Sequence, residues 1–219
     1  MMKWILLLAC ALTPGWAEII DRSAVTVGAG VITESEIMRE IRLTAFLNGE
    51  PPDFSPESMR KTAERMVEQI LILNDFETSR YPAPGPEAVD QMMQSVRGER
   101  FKDPGKYSNG LKALDLTEDE IKAHFLRQLI TLRFIEFRFR PGVQVTEADV
   151  ETYFRTRLVP ELKKQRPNGE FPIGDFREQA EEALIGERID READQWLKAS
   201  KIRTRIVFRP ELLRAGPTR

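Results

Sequence analysis

The spacing of apolar residues changes period twice along this chain, and that change limits what it can fold into. Near the start, Val25, Val27 and Ala29 alternate with other residues, and near the end Ile202, Thr204, Ile206 and Phe208 do the same. Alternation of this kind marks half-buried strands, whereas every apolar run between the two ends recurs at steps of three and four, the signature of amphipathic helices. A lone strand leaves a row of backbone groups without partners, which is costly, so two strands at opposite ends of the sequence are expected to pair with each other. The chain is therefore expected to be mainly α, a helical domain with a small sheet formed by its N- and C-terminal strands.

The punctuation of the sequence sets the expected limits: strands at 23–32 and 202–208, and helices at 34–48, 56–79, 86–98, 105–114, 118–140, 147–164 and 175–200. Gly28 and Gly30 allow a bend within the first strand region, as a short strand or a small hairpin. Thr33 with Glu36, Thr117 with Glu120 and Thr146 with Asp149 have the spacing of capping boxes, in which a hydroxyl and a carboxylate serve the free N–H groups of a helix start. Ser55 followed by Pro56 opens the second helix. Asp175, with Glu178 three residues on, is expected to cap the last. The second helix, with Met59, Ala63, Met66, Val67, Ile70, Leu71 and Leu73, reads as the centre of the core. The long helix from Glu118 carries so much apolar surface that it must be covered on more than one side. The proline-rich segment at 81–86 breaks the helical run inside one domain, since the helix before it needs partners on both sides.

Residues 1–17 have one Lys, an apolar run from Trp4 to Leu12, then Pro14, Gly15 and Ala17, the layout of a secretory signal too short to span a bilayer. Cleavage after Ala17 is expected, leaving 18–219 as one domain. A lipoprotein cut before Cys10 is the alternative, and a buried N-terminal helix a third reading. Cys10 is the sole cysteine, so cleavage after Ala17 would leave no thiol for disulfides, catalysis or metal binding.

Little in the composition suggests catalysis. The 33 Lys and Arg balance 35 Asp and Glu, giving a net charge of −2, so no global basic field is present to hold nucleic acid. His124 is the single histidine and cannot build a multi-histidine metal site; a structural or surface role is expected for it. The carboxylates at 118–120 and 178–182 stand where helix starts and solvated faces put them, and Gly28 and Gly30 lack the spacing of a dinucleotide fingerprint. Arg127, Arg133, Arg138 and Arg140 form the one basic concentration, beside Phe134, Phe137 and Phe139. Met38, Met59, Met66, Met92 and Met93 suit a core, and equally the adaptable surface of a peptide binder.

Taken in order, AVTVGAGVITESEIMREI, RMVEQILILNDF, LTEDEIKAHFLRQLITLRFIEFRF and VTEADVETYF resemble the N-terminal chaperone domain of the SurA-like periplasmic foldases, over about Ile19 to Phe154 and more loosely the closing helix and strand. In that family a helical module is completed by a helix and strand returning from the far C-terminus, after one or two parvulin-type prolyl isomerase domains. Here only a short segment separates Phe154 from Asp175, far less than a parvulin domain, so the resemblance implies no isomerase activity. The VGAGVI of the first strand departs from the usual pattern of relatives, and its turn is expected to differ.

The resemblance implies a periplasmic, ATP-independent holdase for unfolded or outer-membrane protein segments rich in aromatic residues. It would act without cofactor, metal or catalytic residues, without nucleic acid and without a stable membrane span, as a monomer or a dimer exchanging terminal elements. Phe46, Met93, Phe134, Phe137 and Trp196 are the expected peptide-binding residues, in a crevice between the long helix and the closing helix. The alternative is a structural or adaptor subunit of an envelope assembly with one fixed partner, and an enzyme of unknown class is a remoter third.

Overall fold

The two ends of the chain meet in one sheet. The computed structural model describes residues 21–101, 103–211 and 213, so the expected signal at 1–17 and Cys10 lie outside the described residues. Strand β1 (Ser23–Val27) is the middle strand, paired antiparallel on one side with β2 (Gly30–Thr33) and on the other with β3 (Ile206–Phe208). The expected strand over 23–32 is thus a hairpin. Its two-residue loop begins at Gly28, whose φ of 59° lies in the left-handed region that a side chain disfavours, while its N–H donates to the Arg205 carbonyl at 2.9 Å. The register sets Ile32, Val25 and Phe208 side by side facing inward, and Val31, Thr26 and Val207 side by side facing outward. A bulge between Ser23 and Val25 lets consecutive residues Ala24 and Val25 both be fully buried.

Seven helical segments longer than one turn fill the interval between the strands, joined at one point by a π-helical turn and followed by the closing helix. Helix α1 (Glu34–Asn48) leaves β2 through the Thr33–Glu36 capping box and stops at Gly49, which adopts φ 72°. Helix α2 (Pro56–Thr78), capped by Ser55 with Pro56 at its first position, lies across the inner face of the sheet. Met59, Ala63, Val67 and Leu71 pack there with Val25, Val27, Ile32, Ile37 and Ile41. Its other side, through Ile72 and Phe76, meets Phe134 of α5 (Glu118–Phe139), and Trp196 of the closing helix touches both groups. Helices α3 (Pro86–Arg100) and α4 (Pro104–Ala113) close a second cluster with α1 and the first half of α5.

Beyond α5 the chain makes a short 3-10 turn, then α6 (Glu147–Tyr153), a π-helical turn (Phe154–Leu158) and α7 (Val159–Gln165). The wider turn sits just ahead of Pro160, which has no N–H to donate and whose ring crowds the preceding turn of an ordinary α-helix. This segment packs on the first half of α8 (Ile173–Arg203) through Val150, Phe154 and Ala180. Arg140 with Glu182 (2.9 Å), Arg188 with Asp149 (3.0 Å) and Arg177 with Glu147 fasten the linker to α8. All three pairs are in contact with solvent, and each adds little stability on its own.

Two expectations need correction. The closing strand is Ile206–Phe208 rather than 202–208, because α8 continues to Arg203, with the Thr204 N–H donating to the Ser200 carbonyl. Ile202 continued the alternation by coincidence and is 86% exposed. Nor does Asp175 cap α8. The helix starts two residues earlier, after Pro172, because Phe171, Ile173 and Phe176 anchor its first turn on the α6 cluster, and Asp175 lies within that turn, where negative charge is favourable. The other helix limits differ from expectation by a residue or two at frayed ends. Among the described residues no helix is long and apolar enough to cross a membrane.

The hairpin turn gives the first test. Gly28→Ala should lower stability by about 1–2 kcal/mol, the cost of a side chain in the left-handed region, read as a lower midpoint in urea. Gly142→Ala, where a Cβ would meet nothing within 4 Å and φ is not positive, should leave the midpoint nearly unchanged.

Candidate functional site

The five expected peptide-binding residues do not form one surface. Phe46 and Met93 are buried together in the cluster of α1, α3, α4 and α5. The Phe46 ring stacks on Phe101 at 4.8 Å and meets Tyr107 edge-on at 5.6 Å. Gly110 makes room for it, since a Cβ there would come within 2.7 Å of the ring. Phe134 is wholly buried, and its ring lies 4.9 Å from that of half-buried Trp196, with the Arg138 guanidinium near both. These rings fill the space between α5 and α8 where a crevice was expected. Phe137 alone is exposed, at 44%, stacked on Tyr81 at 5.8 Å. Aromatic content pointed to these residues, but large rings are also what a core of this size selects first.

The arginine concentration on and just after α5 is spent internally. Arg127 reaches Glu40 at 3.4 Å, Arg133 donates to the Pro82 and Ala83 carbonyls, Arg138 faces Asp75 at 3.1 Å, and Arg140 spans Glu136 and Glu182. Among the described residues no group of His, Cys, Asp and Glu has the arrangement of a metal site.

An open cleft does exist, on the other side of α2, where β2, α1, α2 and α5 come together. Its volume is about 320 Å³. Ile32, Leu43, Met66, Ile70 and Leu73 supply its apolar lining, and Val31, 49% exposed, stands at one end. Met66, Ile70 and Leu73 lie at steps of four and three along α2, beside the row that packs on the sheet. The sequence carries this signal as an apolar stripe along α2 wider than one partner needs, but spacing alone does not separate its exposed side from its core side.

Charged groups rim the cleft, and Arg39, Glu120, Glu40 and Arg127 are paired with one another. Arg39 bridges from α1 to Glu120 of α5 at 3.1 Å, while Glu120 also accepts from the Thr117 N–H at 2.7 Å. Glu36 accepts from the Thr33 N–H at 2.8 Å. Deeper, Glu40 is nearly inaccessible, with His124 Nδ1 at 3.2 Å, Arg127 at 3.4 Å and Arg65 at 4.0 Å. Gln128 Nε2 lies 2.9 Å from His124 Nε2; with that amide donating, the imidazole proton is carried on Nδ1, toward Glu40. The structural role expected of His124 is therefore to join α5 to α1. Burial would push the Glu40 carboxyl up, but His124, then Arg127 and Arg65, outweigh it and hold the carboxyl below the usual glutamate range.

A carboxyl with a depressed folded pKa adds stability above its unfolded value, near 4.3, and that contribution is lost as pH falls through the lower folded value. Acid unfolding of the wild type should therefore steepen below about pH 4.3. Glu40→Gln should lower stability at pH 7 by about 1.5–3 kcal/mol, the worth of hydrogen bonds to a charged group, and should flatten the acid limb. Urea titrations of both proteins from pH 3 to 7 measure this; parallel pH profiles would remove Glu40 from the account.

No protein-family model matches this chain, and no curated protein is significantly similar to it.

Proposed function

We propose that this protein is a non-enzymatic polypeptide-binding protein of the cell envelope, an ATP-independent holdase that receives unfolded or outer-membrane protein segments in the cleft between β2, α1, α2 and α5. The observation that carries the reading is the cleft itself, apolar within and rimmed by charges most of which satisfy one another. Such a site asks for no particular charge in its ligand and suits uncharged side chains of many sequences. Its volume lies at the small end for ligand sites, enough for one or two side chains of a longer chain. Met66 contributes a flexible, polarisable wall that can adapt to different occupants. The periplasmic setting rests on the signal-like residues 1–17, and the resemblance of the element order to the SurA-like module supports the client class. No catalytic residue, cofactor or isomerase activity is part of the proposal.

The alternative, an adaptor for one fixed partner, draws on a different surface. Val31, Thr26 and Val207 form a row across the outer face of the sheet, with Val31 and Val207 49% and 42% exposed. Exposed apolar residues set side by side are what a single protein partner would cover.

Fluorescence anisotropy with a panel of unfolded outer-membrane protein segments separates the two. The holdase reading expects micromolar binding to many segments and suppression of their aggregation. Leu73→Lys, at a half-buried position of the cleft lining, should weaken binding at least tenfold with the far-UV spectrum unchanged. Absence of binding by the folded protein, or binding indifferent to Leu73→Lys, would refute the cleft as a client site.

A further inference from the structure

The cleft adjoins the free edge of β2, and this determines how a polypeptide could enter it. Val31 points to the outer face of the sheet and Ile32 to the inner face, yet both line the cleft. A cavity reached by residues of both faces must lie along the strand's edge. That edge is unpaired among the described residues, because β1 occupies only the opposite side of β2.

The backbone groups available there follow from the hairpin. Gly30 pairs with Val27 across the two-residue loop, Ile32 pairs with Val25, and the Glu34 N–H turns inward to the Arg22 carbonyl. Alternate residues of a strand direct their N–H and C=O to opposite sides, so those of Val31 and the N–H of Thr33 face the free edge. The Thr33 N–H is taken by the Glu36 carboxylate. Val31 is left with both a donor and an acceptor facing outward beside an apolar cleft.

Resting on the polypeptide-binding reading above, we infer that this site takes its client as an extended strand, which joins the sheet beside β2 through the Val31 N–H and C=O and lowers alternate apolar side chains onto Met66, Ile70 and Leu73. Main-chain bonding at a sheet edge tolerates varied sequences, and the pocket beneath reads every second side chain. A helical client fits poorly, since a helix with its side chains is about 10–12 Å across and could not reach Val31's backbone groups with its own, which are bonded within the helix. With Arg39 and Arg127 paired to Glu120 and Glu40 and the Glu36 carboxylate held by Thr33, the rim offers, among the described residues, no free cation to an acidic client, so the preferred segment is uncharged and apolar at alternate positions. Because Glu36 closes the edge at Thr33, the client is fixed in register at one residue, and most of the affinity must come from the cleft.

The test uses the full protein, labelled with ¹⁵N and with ¹³C at methyl groups. The probe is a synthetic ten-residue peptide alternating Val or Phe with Thr and bearing terminal Lys for solubility; a second copy carries N-methyl groups on the amides of one edge, and a third is N-methylated on the other edge. The inference expects the unmodified peptide to slow exchange of the Val31 amide at least tenfold. One N-methylated peptide should bind at least tenfold more weakly than the other. Val31→Pro, which removes an outward N–H at an edge position where proline is tolerated, should weaken binding to a similar degree; should that variant misfold, the two methylated peptides on the wild type decide. Peptide-induced shifts at the Met66 and Leu73 methyls without protection of the Val31 amide would overturn the strand inference and leave the cleft as a binding site. Failure of all three peptides to bind would overturn both readings. Protection of Val31 that appears without peptide and grows with protein concentration would give the edge to a second copy, overturning the inference as well.

Discussion

Everything in this protein is arranged around the burial of one side of α2 against the inner face of a three-stranded sheet. Met59, Ala63, Val67 and Leu71 meet Val25, Val27 and Ile32 with almost no access to water, and each fully buried aliphatic side chain of this size is worth about 1.5–3 kcal/mol relative to exposure. A sheet of three short strands has no stability of its own and needs such a partner. Once α2 is seated, its remaining sides dictate where α1, α5 and α8 can lie. The cleft is what remains where α1 and α5 flank α2 without closing over Met66, Ile70 and Leu73.

Charge plays a different part from packing. Beside the apolar cluster that α1 and α5 share through Leu43, Phe46, Ile121 and Phe125, charged groups link the two helices at the cleft: Arg39 with Glu120, and Glu40 with His124 and Arg127. Glu40 and His124 are almost completely buried, so the Glu40 carboxylate depends on the hydrogen bond from His124 and on the neighbouring arginines for the solvation it lacks. The segment after α5 is fastened to α8 in the same way, by arginines on exposed carboxylates.

Most of the architecture was legible in the sequence because its local signals are strong and agree with one another. All three threonine capping boxes form, Ser55 and Pro56 open α2 as expected, and the alternating residues at the two ends do pair. The failures share a cause. Ile202 and Asp175 obeyed local rules but were overruled by packing, the first by continuation of α8 and the second by the apolar anchor around Phe171 and Phe176. The candidate site was much less legible. Periodicity tells which side of a helix is apolar but not whether a neighbour covers it, so Phe46, Met93 and Phe134 were indistinguishable from Met66 and Leu73. Only tertiary structure shows that the first three are enclosed and that the last two face an opening.

The pairing of β1 with β3 also imposes an order in time. Val25 and Val27 lie near one end of the described chain and their partners Phe208 and Ile206 near the other, with every described helix between them. A polypeptide that emerges N-terminus first can form the hairpin and the capped helices as they appear, because these contacts are local. It cannot finish the sheet on which α2 rests until the closing strand arrives, and contacts so distant in sequence are slow to form. For most of its synthesis the protein is thus a set of helices awaiting their keystone, with its own apolar strand edges exposed to the same hazards as the chains it is proposed to protect.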